Sequence, residues 1–256
     1  MINPMSLEGK TIIVTGAAQG IGRAIAEISL DLGAKVVAMD RNAEGLGQLA
    51  RNDRLAIAAG DVTDVEFVQR TVDMTVEFGG GVIDGLVNNA GISRPAMIHK
   101  MDIDAWDAVI AVNLTAPFRL LQIVGRKMLD QSAAGSKAPG SIVNISSDSG
   151  RRGTIGQINY GAAKSGINGL TMSAAREWAK KGIRVNTVSF GGVVETPMTE
   201  NIRGEKFRDT YMAQIPMQRF STAEEVSYPV CFLLSDAASY ITGQNLSVNG
   251  GYHITA

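Results

Sequence analysis

Short runs that are apolar almost throughout alternate with longer stretches of helical periodicity along the chain, and this alternation constrains the fold more than any other feature. Ile12-Ile13-Val14 and Ile142-Val143 leave no polar face. A strand of that kind is buried on both sides, as a parallel sheet covered by helices requires. The strands expected are Thr11–Thr15, Lys35–Asp40, Leu55–Ala59, Gly85–Asn88, Ser141–Ser146, Arg184–Ser189 and Asn245–Val248. Helical patterns fall between them at Ile21–Leu32, Val65–Glu77, Ile103–Leu129, Ala162–Lys180 and Ala223–Leu234. Thr222-Ala223-Glu224-Glu225 reads as a capping box that opens the last helix. Such alternation implies right-handed crossovers, hence an α/β fold: a doubly wound, seven-stranded parallel sheet with helices on both faces. No repeat or linker divides residues 1–256, so one domain is expected. The segment 197–219 interrupts the alternation and is a candidate lid, and Gln131–Gly140 reads as an exposed loop.

Composition narrows the function classes. The formal net charge is −1, which favours neither nucleic acid nor an anionic membrane as a partner. The single cysteine, Cys231, sits in the apolar run Pro229–Leu234 and reads as a buried, inert thiol. Two distant histidines, His99 and His253, give no metal-ligand spacing, so no metal is expected. Met1–Glu8 lacks the pattern of a secretory signal. No run approaches the roughly 20 apolar residues of a membrane helix. The expected location is the cytoplasm.

The first strand runs into Thr15-Gly16-Ala17-Ala18-Gln19-Gly20-Ile21-Gly22 and then a helix. Glycines at a strand–helix turn let backbone approach a pyrophosphate, whose charge sits at the helix N-terminus. This is the turn of a Rossmann-type dinucleotide site. The second strand ends in Asp40, 18 residues after Gly22. A carboxylate there accepts hydrogen bonds from the adenosine ribose and repels a 2′-phosphate. Gln19 is neutral where a phosphate binder needs a cation. Both features favour NAD over NADP, although Arg41 directly follows and is placed to stack on adenine or meet a phosphate.

These motifs, taken in order, resemble the short-chain dehydrogenase/reductase family, in its branch of chains this long. The resemblance runs from about Leu7 to Gly251. Gly16, Gly20 and Gly22 match the cofactor loop, Asp61-Val62 the adenine contact, and Asn88-Asn89-Ala90-Gly91 the segment closing the fourth strand. Asn113 matches the helix asparagine, and Ser147, Tyr160 and Lys164 match the Ser…Tyr-x-x-x-Lys spacing. Ile241–Gln244 and Val248–Gly251 resemble the region of the last strand. The resemblance implies that Lys164 also holds the nicotinamide ribose, that Asn113 anchors a relay water, and that Gly192, Val194 and Thr196 meet the nicotinamide. It also implies a homotetramer built on the two long helices. Phe190-Gly191-Gly192 departs from the family's Pro-Gly and adds a residue, and Gly79-Gly80-Gly81 lengthens a turn.

Tyr160 and Lys164 are four apart, on one helix face. A phenol titrates near 10 in water, and a neighbouring ammonium favours phenolate, so Lys164 is the natural tuner of Tyr160. Ser147 follows the fifth strand, at the edge where open sheets bind ligands, and is placed to hold the substrate oxygen. The expected reaction is hydride transfer between nicotinamide and a small-molecule secondary alcohol or ketone, with Ser147, Tyr160, Lys164 and Asn113 as the catalytic group. Ser149, Gln157, Arg94 and Met198, with Pro95 and Ile155, are candidates for the substrate wall. His99 reads as a surface residue. Two alternatives stay open: a 3-oxoacyl-thioester reductase using NADPH, and a non-catalytic nicotinamide sensor.

Overall fold

The computed structural model describes residues 3–49 and 52–254, without the side chains of 201, 202, 205 and 206. Seven strands form one parallel sheet: β1 (Thr11–Thr15), β2 (Lys35–Asp40), β3 (Leu55–Ala59), β4 (Gly85–Asn88), β5 (Gly140–Ser147), β6 (Ile183–Phe190) and β7 (Asn245–Val248). Their order is β3-β2-β1-β4-β5-β6-β7. The winding reverses between β1 and β4, and at such a switch point the loops at the carboxyl ends diverge and leave a crevice.

Side-chain alternation explains the all-apolar strands. Ile12 and Val14 enter a core with α1 (Gly20–Asp31), α2 (Ala43–Gly47) and α10 (Ala223–Leu234). Ile13, between them, faces the opposite core with α3 (Val65–Phe78), α5 (Ala116–Ala133) and α7 (Ile158–Trp178). β5 and β6 extend past their expected ends to Ser147 and Phe190, paired to the last residue. Cys231 is buried 3.7 Å from the Ser29 hydroxyl, and burial pushes its thiol up to about 11, as an inert thiol should be.

The expected helix Ile103–Leu129 is three pieces. α4 (Ile103–Ile110) passes into a π turn at Ala111–Thr115, and α5 continues to Ala133. Periodicity could not show this, because the inserted residue leaves apolar positions on both sides in helical spacing. The Ile103–Ala133 rod is long and apolar enough to cross a membrane by length and composition. Part of this apolar surface is packed inside the protein: Leu120, Leu121, Val124 and Met128 are buried against the sheet and α7. A Cβ on Gly125 would overlap Trp178, so this glycine sets how closely α5 and α7 approach.

α7 begins at Ile158, four residues before its expected start, which puts Tyr160 in its first turn. The loop expected over Gln131–Gly140 is shorter, since α5 extends to Ala133 and β5 begins at Gly140. Two short helices follow β5 and β6: α6 (Ser149–Arg152) and α8 (Glu200–Arg203). The candidate lid is largely helical, with a 3₁₀ turn at Pro197–Thr199, α8 and α9 (Glu205–Met212).

Candidate active site

At the carboxyl edge of the sheet lies a cavity of 470 Å³. Gly16, Gln19, Gly20, Ile21 and Gly22 form one side, and Asp40, Arg41, Asp61 and Val62 close another. Asn89, Ala90, Gly91 and Thr196 complete it, with Met198 at the lid. A Cβ on Gly16 would stand 2.9 Å from Ala90 Cα, and one on Gly22 would overlap the Gly16 carbonyl. Only glycine permits these approaches. Gln19 caps α1 without a side-chain hydrogen bond, and the first turn holds no acidic residue. The helix N-terminus thus presents its amides to the cavity, as an anionic pyrophosphate requires. Thr15 Oγ1 accepts from Asn89 N and Ala90 N at 3.0 Å, and Asn89 Nδ2 donates to the Thr15 carbonyl at 3.0 Å. The ends of β1 and β4 are therefore locked into one wall. The chain fits a dinucleotide.

Asp40 sits at the end of β2 as expected, but its oxygens already accept hydrogen bonds. Oδ2 takes the Ala18 amide at 3.0 Å and Oδ1 the Asn42 amide at 2.9 Å. Asp61 accepts from the Thr63 amide and hydroxyl at 2.8 Å, which shapes the turn after β3. Gly60, Ile92, Ser93, Val112 and Pro197 also line the cavity. Sequence reasoning passed over them because Gly60, Ile92, Val112 and Pro197 offer backbone or apolar surface, and the Ser93 hydroxyl stands in no recognisable motif.

Four expected cofactor residues are outside the lining of this cavity: Tyr160 and Lys164, described below, and Gly192 and Val194. Val194 is buried, in the core beside α10, with its carbonyl held by the Thr199 hydroxyl. Gly192 borders a separate hollow of 140 Å³ against Ile215 and Asn249. Gly192 has φ +64°, a conformation that suits glycine.

The catalytic candidates gather where β5 meets α7. Ser147 closes β5, and its hydroxyl accepts the Ser149 amide at 3.2 Å. The Ser146 hydroxyl donates to the Lys164 carbonyl at 2.8 Å, and Lys164 Nζ donates to the Ile145 carbonyl at 2.8 Å. Two bonds thus pin α7 to the strand. Lys164 is 3% exposed, and burial pulls its ammonium down to about 8. Its Nζ lies 5.6 Å from the Tyr160 ring centre.

Tyr160 departs from one expectation. Its phenol is raised above 10, because burial outweighs the Ser147 hydroxyl that pulls the other way. Lys164 Nζ donates to the Ile145 carbonyl and is not among the groups that pull the phenol down. In this state Tyr160 is a neutral O–H beside a serine hydroxyl, which is the form that donates to a carbonyl oxygen.

Asn113 is fully buried within the π turn, a distortion that concentrates at functional sites. Its Oδ1 accepts the Ile92 amide at 2.8 Å and its Nδ2 donates to the Ile92 carbonyl at 2.9 Å. Its side chain holds the segment after Gly91 in place. Ser149 bonds Thr154 at 2.9 Å and Gln157 at 3.2 Å, so both wall candidates share one network. The Arg94 carbonyl accepts from Asn159 at 3.0 Å. Ile155 is 88% exposed, and His99 is exposed in a 3₁₀ turn.

A dinucleotide cradle at a sheet switch point, with a serine, a buried lysine and a protonated phenol at the neighbouring strand end, defines a nicotinamide-dependent oxidoreductase. The chain belongs to the short-chain dehydrogenase/reductase family. A family model described as enoyl-(acyl carrier protein) reductase matches residues 16–253. The 3-oxoacyl-(acyl-carrier-protein) reductase FabG of Thermotoga maritima is 43% identical over 252 residues, covering 96% of this chain and 99% of that one. Its counterpart in Vibrio cholerae is 41% identical, with 98% and 100% covered. Among solved structures, a candidate NAD(P)-dependent gluconate 5-dehydrogenase of Beutenbergia cavernae with bound NADP at low occupancy has a TM-score of 0.89 at 35% identity, covering 98% and 99%. A candidate 2-deoxy-D-gluconate 3-dehydrogenase of Agrobacterium tumefaciens with bound NADP has a TM-score of 0.87 at 36%, with the same coverage.

Proposed function

We propose that this protein reduces the ketone of a 3-oxoacyl thioester to the secondary alcohol. Likeness over almost the full length, above 40% identity, to two enzymes of that name carries the reading. It displaces the broader reading of a secondary-alcohol dehydrogenase, which the motifs alone favoured. Exposed apolar side chains on the segments beside the site support it. Met97, Ile98, Ile155 and Met198 are each at least half exposed, and the Ala96–Gln157 bridge brings the first three near Ser149. Such a rim suits an acyl chain better than a sugar.

In this reading Ser147 donates to the substrate carbonyl and orients it. Tyr160 gives its proton to that oxygen, and Lys164 offsets the negative charge left on the phenolate. Asn113 serves as the anchor of the proton relay that resupplies the lysine. The bound nicotinamide supplies the hydride.

For the cofactor we propose NADPH, in place of the NAD that Asp40 suggested. The solved relatives that carry bound NADP support it. Arg41 also lines the cavity, while the Asp40 oxygens are engaged by Ala18 and Asn42. Arg41→Ala is then expected to raise KM for NADPH about tenfold, the size of one charge-assisted hydrogen bond, and to leave KM for NADH near its starting value. A tenfold swing toward NADPH in Asp40→Ala would instead return the choice to NAD.

We place the protein in the cytoplasm as a homotetramer. Phe118 on α5 and Met172 on α7 support the assembly, at 44% and 55% exposed. Sedimentation is expected to show a tetramer at micromolar concentration, and a monomer would contradict this.

Substrate class is tested by oxidation of NADPH with a short 3-oxoacyl thioester, compared with keto-sugar acids and simple ketones. Thioester kcat/KM is expected to exceed the others by at least about tenfold, a modest differential in transition-state binding. Preference for a keto-sugar acid would favour the function named for the solved relatives, and silence toward every substrate would favour a sensor.

A further inference from the structure

Immediately after Ser147 comes a carboxylate that the reaction does not use. Asp148 is only 2% exposed. Its amide donates to the Phe190 carbonyl at 2.9 Å, and its Oδ2 accepts from Asn249 Nδ2 at 2.8 Å. Oδ1 has no hydrogen-bond partner among the described residues. It faces His253 Nδ1 at 3.9 Å, a buried nitrogen likewise without a partner there. Burial raises the Asp148 carboxyl, while Asn249, His253, Arg151 and Arg152 pull it down, in that order.

The same carboxylate explains the Gly-Gly departure after β6. A Cβ on residue 191 would overlap Asp148 Oδ2 and stand 2.8 Å from Asn249 Cβ. Gly191 is bare because Asp148 and Asn249 occupy its side-chain space. The residues beyond Asn249 reach further. Gly250 accepts from the Met217 amide at 3.1 Å, and a Cβ on Gly251 would meet Pro216 at 2.9 Å. Tyr252 lies under the Arg152 guanidinium, 4.3 Å from its ring centre, and Tyr211 of α9 faces it electrostatically. The C-terminal tail therefore bridges the lid and the turn that carries Ser147.

We propose that Asp148 is a positioning residue: through Asn249 and His253 it straps the C-terminal tail across the turn behind Ser147. The proposal rests on the role assigned to Ser147 above. The charged groups facing the pair are Arg151 and Arg152 of α6, with Tyr252 beside them in the tail and Tyr211 on the lid. A loosened strap lets the Ser147 hydroxyl drift, and small misplacements of an orienting group cost rate.

The test compares kcat and cofactor KM of wild type, Asp148→Asn, His253→Gln and the double variant. Asn at 148 keeps an acceptor for Asn249 and removes only the charge. Each single variant is expected to lower kcat several-fold to about tenfold, with cofactor KM nearly unchanged. The double variant should be no slower than either single, as for one shared interaction. Single effects that add, or a cofactor KM that moves as far as kcat, overturn the proposal. A loss of thermal stability with kcat unchanged overturns it too. Should Asp148→Asn not fold, His253→Gln alone decides, since it alters a residue at the edge of the pair. Tyr160→Phe is assayed in parallel: substantial activity there would defeat the catalytic assignment itself, separately from the strap.

Discussion

Tyr160→Phe is expected to lower kcat by about 10²- to 10⁴-fold, the range that a positioned general acid contributes. The phenol is held as a neutral donor by burial, beside the Ser147 hydroxyl. Removing its oxygen removes the proton that is transferred to the substrate, and leaves only the orienting hydroxyl of Ser147. The cradle should change little, because Tyr160 is not among the residues that line it. Cofactor binding, read by fluorescence titration, should stay near that of the wild type. The fold should also be unharmed, since among the described residues no backbone group bonds the phenolic oxygen. Retained turnover in a well-folded variant would reject Tyr160 as the proton donor.

Lys164→Met separates function from stability. Activity should fall at least as far, because no cation remains to offset the phenolate. Stability should move the other way. Burial lowers the ammonium from 10.5 to about 8, so at pH 7 the native lysine is charged at a cost. At 1.36 kcal/mol per pKa unit that cost is about 3 kcal/mol. Leaving the Ile145 carbonyl unpaired returns about 1 to 3 kcal/mol of it. A net gain on the order of 1 kcal/mol is expected near neutrality, visible as a raised Tm. Between pH 8 and 10.5 the native lysine is neutral while the unfolded one still binds a proton, so wild-type stability rises with pH and the advantage of Met shrinks across that window. A Met variant less stable than wild type at pH 7, with no narrowing at higher pH, would show that the buried charge is not costly.

The strands were legible because burial on both faces leaves a continuous apolar run of strand length, and five of the seven keep their expected ends. The capping box at Thr222 forms as read, with Glu225 N donating to Thr222 Oγ1 at 3.3 Å. The glycine loop and Asp40 were legible because local geometry demands particular residues at particular offsets. Three features were not. The π turn at Asn113 adds one residue without disturbing the apolar spacing. The raised phenol of Tyr160 depends on burial from several elements at once, whereas the Tyr–Lys spacing shows only proximity. The bareness of Gly191 depends on Asp148 and Asn249, which lie 43 and 58 positions away in the chain. Long-range packing of that kind leaves no local pattern. The proposed cofactor departs from the one Asp40 suggested for a related reason: a carboxylate can be read from sequence, but its hydrogen bonds to Ala18 and Asn42 cannot.

The most direct test of the whole account follows the hydride. Purified protein is mixed with reduced nicotinamide dinucleotide carrying deuterium at the transferable C4 position and with a 3-oxoacyl thioester, and the product is analysed by mass and NMR. The account expects deuterium at C3 of a single 3-hydroxyacyl enantiomer, in step with cofactor oxidation. Cofactor oxidation without label at C3, or no turnover of the thioester while the protein still binds the dinucleotide, would contradict it.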